Sequence, residues 1–346
     1  RYTLFRLFQK YRIPAAIVGF FLVVLVIIKI YFFPSIPTER TDPIIIGEFE
    51  NFTSESVFDN SLTNGLQISL RQSDYLNILP TYKIQQSLRR MQLPDGQRLD
   101  KETVLAIAER ENISMAITGS IDRLGALYIL TGNIIEVTSG DIIKQHQVSV
   151  QKIEEILEGI DQLVKWIRKE IGESNRLINR TSKPLPQVTT SSLEALELYS
   201  QGIDFARLGM YAEAVEVVEK AVELDSTFVM AIHSLSYNLK RVGNHRKAIY
   251  YHNKILPLID RVTEKEKYSI LRMYYGPEFE RDYDKAYYYA RKLVENYPED
   301  GVALANMGHL AMYTGDYETA IEYSHRAIEI DTIFQSTCYN NIGFSY

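Results

Sequence analysis

Residues 202–224 read GIDFARLGMYAEAVEVVEKAVEL, and residues 308–330 read GHLAMYTGDYETAIEYSHRAIEI. Superposed, they share Gly202 with Gly308, Gly209 with Gly315, Tyr211 with Tyr317, Ala214 with Ala320 and Ala221 with Ala327. Two more copies lie between them. Gly243 precedes Ala248 by five residues, as Gly209 precedes Ala214, and Ala286 marks a copy that lacks its glycine. The four alanines are spaced 34, 38 and 34 residues apart. A period of this length with fixed small residues predicts stacked helix pairs, because only Gly and Ala let two antiparallel helices of one unit cross closely. Pro298 closes the third copy.

The period and its residues resemble the tetratricopeptide (TPR) repeat, over residues 192–346, as about four units and the start of a fifth at YNNIGFSY (Tyr339 to Tyr346). The resemblance implies an all-α solenoid that binds proteins and is not an enzyme. Ser236 and Ile255 stand where Gly and Ala are usual. Unit three carries four extra residues, and Gly276-Pro277 cuts its first helix, so an irregular joint is expected there. In such arrays the first helix of each unit lines a concave groove, and every fourth residue shares a face. That places Tyr199, Arg207, His233, Tyr237, Arg241, Tyr275, His309 and Tyr313 on the groove, with Lys240 alongside. An aromatic and cationic surface of this kind suits an extended peptide with aromatic or acidic groups.

Working back from the array, residues 173–191 hold two prolines and many hydroxyls without an apolar stripe, and read as a linker. Before them, residues 43–172 alternate between strand and helix periods, which predicts a mixed α/β domain. PIIIGEF (Pro43 to Phe49), YLNIL (Tyr75 to Leu79), SMAITGSI (Ser114 to Ile121), ALYILTGNIIEV and DIIKQHQVSV read as strands. Helices are expected from Ser56 to Leu70, from Thr81 to Met91, after an Asp100 N-cap, and from Ile153 to Ile171. The runs IIIGEFENFTSESVFDNSL, YLNILP and AERENISMAITGSIDRLGALYILTGNIIEVTSGDII are similar to the extracytoplasmic domains related to the TolB amino-terminal and FlgO-like families. Such domains commonly follow one membrane helix and precede TPR repeats in bacterial receptor-like Ser/Thr kinases and regulators. The Phe49-Glu50-Asn51 loop carries the resemblance and reads as a strand-to-helix connection in which Asn51 bonds local backbone.

At the N-terminal end, IPAAIVGFFLVVLVIIKIYFF (Ile13 to Phe33) is interrupted only by Lys29. At ~1.5 Å per residue it spans ~31 Å, which predicts a transmembrane helix crossing the lipid bilayer. Arg1, Arg6, Lys10 and Arg12 give residues 1–12 a basic flank, so the N-terminus is expected in the cytoplasm and everything past the 34–42 linker outside the inner membrane, in the periplasm. The fold class expected is therefore a transmembrane helix, then a mixed α/β domain, then an all-α TPR solenoid. Removing the five cations of residues 1–33 from the net charge of −6 leaves −11 for the remainder. The Arg start and the end inside a repeat lead us to expect a fragment, with room for a kinase domain ahead of Arg1.

At 346 residues, 46% hydrophobic and 24% charged, the chain is long enough for two domains. Its acidic balance and the absence of a basic run beyond the first residues argue against nucleic acid. A lone Cys338 allows neither an internal disulfide nor a zinc cluster, the six histidines show no metal-ligand spacing, and no nucleophile, phosphate loop or kinase motif is present. No cofactor, metal or catalytic residue is expected. Two functions remain: the sensory, protein-binding half of a receptor-like Ser/Thr kinase or regulator, or an accessory scaffold subunit of a larger membrane protein complex. Proteins or peptides in the exported compartment are the expected partners of either.

Overall fold

The structure is a computed structural model, and it describes residues 42–94, 96–277, 279–330 and 334–345. A five-stranded sheet comes first, in the order β2-β1-β3-β4-β5. It is built from β1 (Pro43–Asn51), β2 (Asn77–Ile78), β3 (Met115–Leu124), β4 (Leu127–Glu136) and β5 (Ile142–Val150). β1 runs parallel to β2 and β3, whereas β3, β4 and β5 form an antiparallel meander. Successive β1 side chains point to opposite faces, so both faces carry a core. Ile44 and Ile46 pack with α1 (Ser61–Leu70) and α4 (Ile156–Glu170), and Ile45 packs with α2 (Thr81–Arg90) and α3 (Lys101–Arg110). Past β3 the second face turns polar: Gln145 Nε2 donates to Asn133 Oδ1 at 2.9 Å and Gln147 Nε2 to Thr131 Oγ1 at 3.3 Å.

Two expected elements are shorter. The strand over Tyr75 to Leu79 contracts to Asn77–Ile78, because Ser73 Oγ accepts from Tyr75 N and Leu76 N and ties them into a turn. The helix expected from Ser56 opens as a 3-10 turn (Ser56–Phe58), and the α-helix begins at Ser61. Asp100 accepts from Thr103 N at 2.9 Å and starts α3 as expected.

Residues 173–191 do not form the expected linker. They fold into α5 (Asn175–Thr181) and α6 (Leu185–Val188), with Ile178, Leu185, Val188, Thr189 and Thr190 buried. Side chains of the α/β domain hold this stretch. Gln72 and Lys183 exchange two hydrogen bonds, at 3.0 and 2.7 Å, and Leu185 N donates to Asp161 at 2.7 Å. The guanidinium of Arg168 grips both oxygens of Glu173 at 2.8 and 2.6 Å and donates to Ser182 and Thr181. This is a fully desolvated pair with two further hydrogen bonds to the guanidinium, the condition under which a buried ion pair is tolerated.

Helix pairs follow: α7 (Leu193–Arg207) with α8 (Tyr211–Leu224), α9 (Val229–Arg241) with α10 (His245–Asn253), α11 (Glu264–Tyr275) with α12 (Tyr283–Asn296), α13 (Gly301–Thr314) with α14 (Tyr317–Ile330), and then α15 (Gln335–Ser345). The small residues sit at the crossings. A Cβ on Gly202 would lie 2.1 Å from Val218, and one on Gly308 would lie 2.6 Å from Ser324 Oγ and 3.1 Å from the Ala320 carbonyl. In unit two Ser236 replaces that glycine and donates to the Ala248 carbonyl at 2.9 Å. α10 is short, and a 3-10 segment (Leu256–Arg261) containing Pro257 follows it. α11 ends at Tyr275, immediately before Gly276-Pro277.

The fold class requires one correction. Over the described residues it is a small β-sheet domain followed by a helical TPR-like array, and no helix there is long and apolar enough to cross a membrane, so the expected leading membrane helix is not supported. The segment expected to do so, 13–33, lies outside the described residues, as do 1–12 and most of 34–42.

Candidate protein-binding surface

The nine residues read as one groove divide into separate environments. Tyr199 is buried, with its ring 4.9 Å from that of Phe228, and burial followed by the nearby Glu266 charge pushes its phenol far above the usual range. It belongs to the core. Arg207 pairs with Asp204 on its own helix at 2.8 Å, and Arg241 covers the ring of Tyr211 at 4.7 Å. Lys240 lies 5.2 Å over Phe279. Tyr237 is 42% exposed and Tyr313 48% exposed, and His309 meets Tyr313 edge-on at 5.0 Å.

Unit three supplies most of the surface. Tyr275 of α11 stacks on Tyr289 of α12 with ring centroids 6.0 Å apart, and Tyr289 in turn lies 6.3 Å from Tyr268. Lys285 Nζ sits 4.8 Å over the Tyr275 ring while paired to Asp282 at 2.7 Å, and that carboxylate raises the ammonium's pKa. Tyr283 stacks on Tyr313 at 6.1 Å, linking this group to unit four. Tyr268 is bonded to Glu264, which with burial pushes its phenol up to about 12. Within the run Asp282 to Lys292, Ala286 and Ala290 face the core, Tyr287 donates to Asp316 at 3.1 Å, and Tyr288 is 48% exposed. Helical spacing from the first helices alone missed this contribution, because Tyr288 and Tyr289 sit on the second helix of their unit. The signal was the tyrosine run itself.

His233 is half-buried, and burial with the neighbouring Arg272 guanidinium pulls its pKa down to about 4. Below it lies a residue for which sequence reasoning had no cue. His252 is fully buried between Tyr274 (4.6 Å, 16° between planes) and Phe279 (3.6 Å, 7°), and neither ring nitrogen has a hydrogen-bond partner among the described residues. Burial, then His233 and Lys240, hold its pKa near 3, so the ring packs as a neutral aromatic.

In the α/β domain the Asn51 loop is a structural connection. Asn51 donates to the Glu55 carbonyl at 2.9 Å and to Asp59 at 2.8 Å, and accepts from Thr53 N and Oγ1. A shallow cleft beside it is lined by Glu50, Asn51, Phe52, Arg98 and Asp100. Among the described residues no three His, Cys, Asp or Glu side chains converge as a metal site.

Residues 205–228 and 302–333 match the tetratricopeptide repeat family model. No curated protein matches the chain. Among solved structures it is similar to the LpoB C-terminal domain from Salmonella enterica, at 16% identity and a TM-score of 0.30 over 34% of this chain and 87% of that one. The Escherichia coli LpoB C-terminal domain is similar at 14% identity and a TM-score of 0.31, over 34% and 87%. MamA AMB-1 is similar at 20% identity and a TM-score of 0.35, over 43% and 85%. These are partial overlaps at low identity. The repeat matches fall on the end of α7 with all of α8, and on α13 and α14, where the helix pairs cross on small residues, so the chain contains tetratricopeptide repeats, a non-catalytic protein-interaction module.

Proposed function

We propose that the chain is a protein-interaction scaffold that holds an extended segment of a partner protein against the rings and cations of units two to four. The observation that carries this reading is the continuity of Tyr268, Tyr289, Tyr275 and Lys285 with Tyr283 and Tyr313 across two units. Half-exposed rings beside lysines offer apolar area at little entropic cost, cation-π contact and carboxylate pairing to one ligand. An acidic, aromatic-containing segment meets all three.

The similarity of the α/β domain to extracytoplasmic TolB amino-terminal and FlgO-like domains favours a more specific role, as the binding portion of a larger receptor-like kinase or regulator. An accessory subunit of a multi-protein complex is the alternative. Affinity purification of the tagged full-length protein, with mass spectrometry of its companions, separates them: stoichiometric recovery in one complex supports the subunit. Tyr237→Ala with Tyr313→Ala should weaken capture at least several-fold without loss of helical signal. Unchanged capture would remove this surface from the function.

A further inference from the structure

In a repeat array each unit touches its neighbours, and its curvature is the sum of small rotations between them. Here the α/β domain also contacts units far apart along one edge. In unit one, Glu197 accepts from Asn60 N at 3.1 Å and Ser61 N at 2.8 Å. Between units two and three, Lys183 Nζ donates to the Val262 carbonyl at 3.5 Å. At the head of α15, the ring of Phe334 meets that of Tyr82 edge-on at 5.1 Å. Arg71, at the end of α1, donates to Thr81 at 3.5 Å; burial lowers its pKa, and the charges of Glu266 in α11 and of Asp300, the N-cap of α13, oppose that shift. These array partners lie in or just before the first turns of α11, α13 and α15, so the segment 71–82 spans the starts of three successive first helices.

We propose that the α/β domain is a brace along this edge, fixing the array's curvature, with the Tyr82–Phe334 contact as its releasable far end. The near end is a continuous apolar core in which Leu66, Leu70, Leu185, Val188, Leu193 and Leu196 pack together. The far end is a single ring pair with Tyr82 half-buried, a contact whose loss changes an opening equilibrium by about fivefold. Phe334 also packs over Gly301, whose added Cβ would lie 2.3 Å from the ring, so the first helix of unit four holds it in place for Tyr82. Opening there lets units three to five rotate away from the sheet domain and changes the shape offered by the tyrosines of units three and four.

The test uses the full chain with spin labels at Glu213→Cys in α8 and Glu318→Cys in α14, both exposed, and with the buried Cys338 changed to Ser. Pulsed dipolar spectroscopy on Tyr82→Ala should give a longer, broader distance distribution than the parent, and Tyr82→Phe should restore the parent's. Arg71→Glu, which reverses the charge on which Glu266 and Asp300 act, should open the array independently. Amide exchange in 335–345 should be about fivefold faster in Tyr82→Ala and unchanged in Tyr82→Phe. Parent-like distances in both Tyr82→Ala and Arg71→Glu would overturn the brace, and a change in Arg71→Glu alone would overturn Tyr82–Phe334 as its far end.

Discussion

Glu197 accepts from the backbone N–H of Ser61 at 2.8 Å across 136 positions of sequence, so a carboxylate of the first repeat helix caps the first helix of the sheet domain. Glu197 is 7% exposed and also accepts from Asn60, which makes it a charged acceptor for two orphan helix donors. Glu197→Ala should cost about 1–3 kcal/mol. The lone Trp166 stacks on His146 of β5 and reports on the sheet domain, whereas far-ultraviolet circular dichroism reports mainly on the array. In urea the two signals should give coincident transitions for the parent and separate for Glu197→Ala. Separate transitions in the parent would show that the two units unfold independently.

Arg168→Met should be among the most damaging single changes, at about 3–5 kcal/mol, because it leaves Glu173 charged and desolvated. Replacing both partners, as Arg168→Met with Glu173→Leu, should recover most of that loss. A thermal-unfolding comparison of the single and double variants checks both statements.

Stability should fall in acid through the imidazoles. The unfolded chain protonates them below about pH 6.5, whereas the folded chain resists until about 4 at His233 and about 3 at His252. In that window the unfolded state holds more protons, so stability is complete above about pH 7 and declines as pH drops through 6 and 5. The slope for each histidine is at most about 1.4 kcal/mol per pH unit. Urea midpoints at pH 7.5 and 5 measure it, and His252→Phe should flatten the dependence while leaving stability at pH 7.5 equal or higher.

Gly308→Val should destabilise unit four by about 1–3 kcal/mol or more, since the side chain would meet the Ala320 carbonyl as well as Ser324. Ser236→Gly at the matching place in unit two should cost less, because it removes one hydrogen bond to the Ala248 carbonyl and leaves the crossing open. Calorimetry of the two variants ranks them.

The helix pairs were legible because Gly202, Ala214, Gly308 and Ala320 act through backbone proximity, which leaves a fixed spacing in the chain. The strand and helix order of the sheet domain was legible through the same local periodicity. The weld at 175–191 was not, since its buried residues, Ile178, Leu185 and Val188, are too sparse to make a stripe and are held by Gln72, Asp161 and Arg168 from elsewhere. The side-chain environments along the first helices were legible only in part. Helical spacing put Tyr313 on the surface, where it is exposed, but it counted Tyr199 as surface and had no means of seeing Tyr289 arrive from the second helix to stack on Tyr275.

A stack of identical helix pairs has two raw ends, and natural arrays blunt them with repeats whose outer face is polar, without which they associate end to end. In this chain the outer side of α7 carries Leu193 and Leu196, both buried, and what covers them is the α1 and α6 side of the sheet domain. The sheet domain is therefore the stopper of its own solenoid. Production of residues 192–346 alone should yield aggregates, whereas a cut before Pro43 spares that cover.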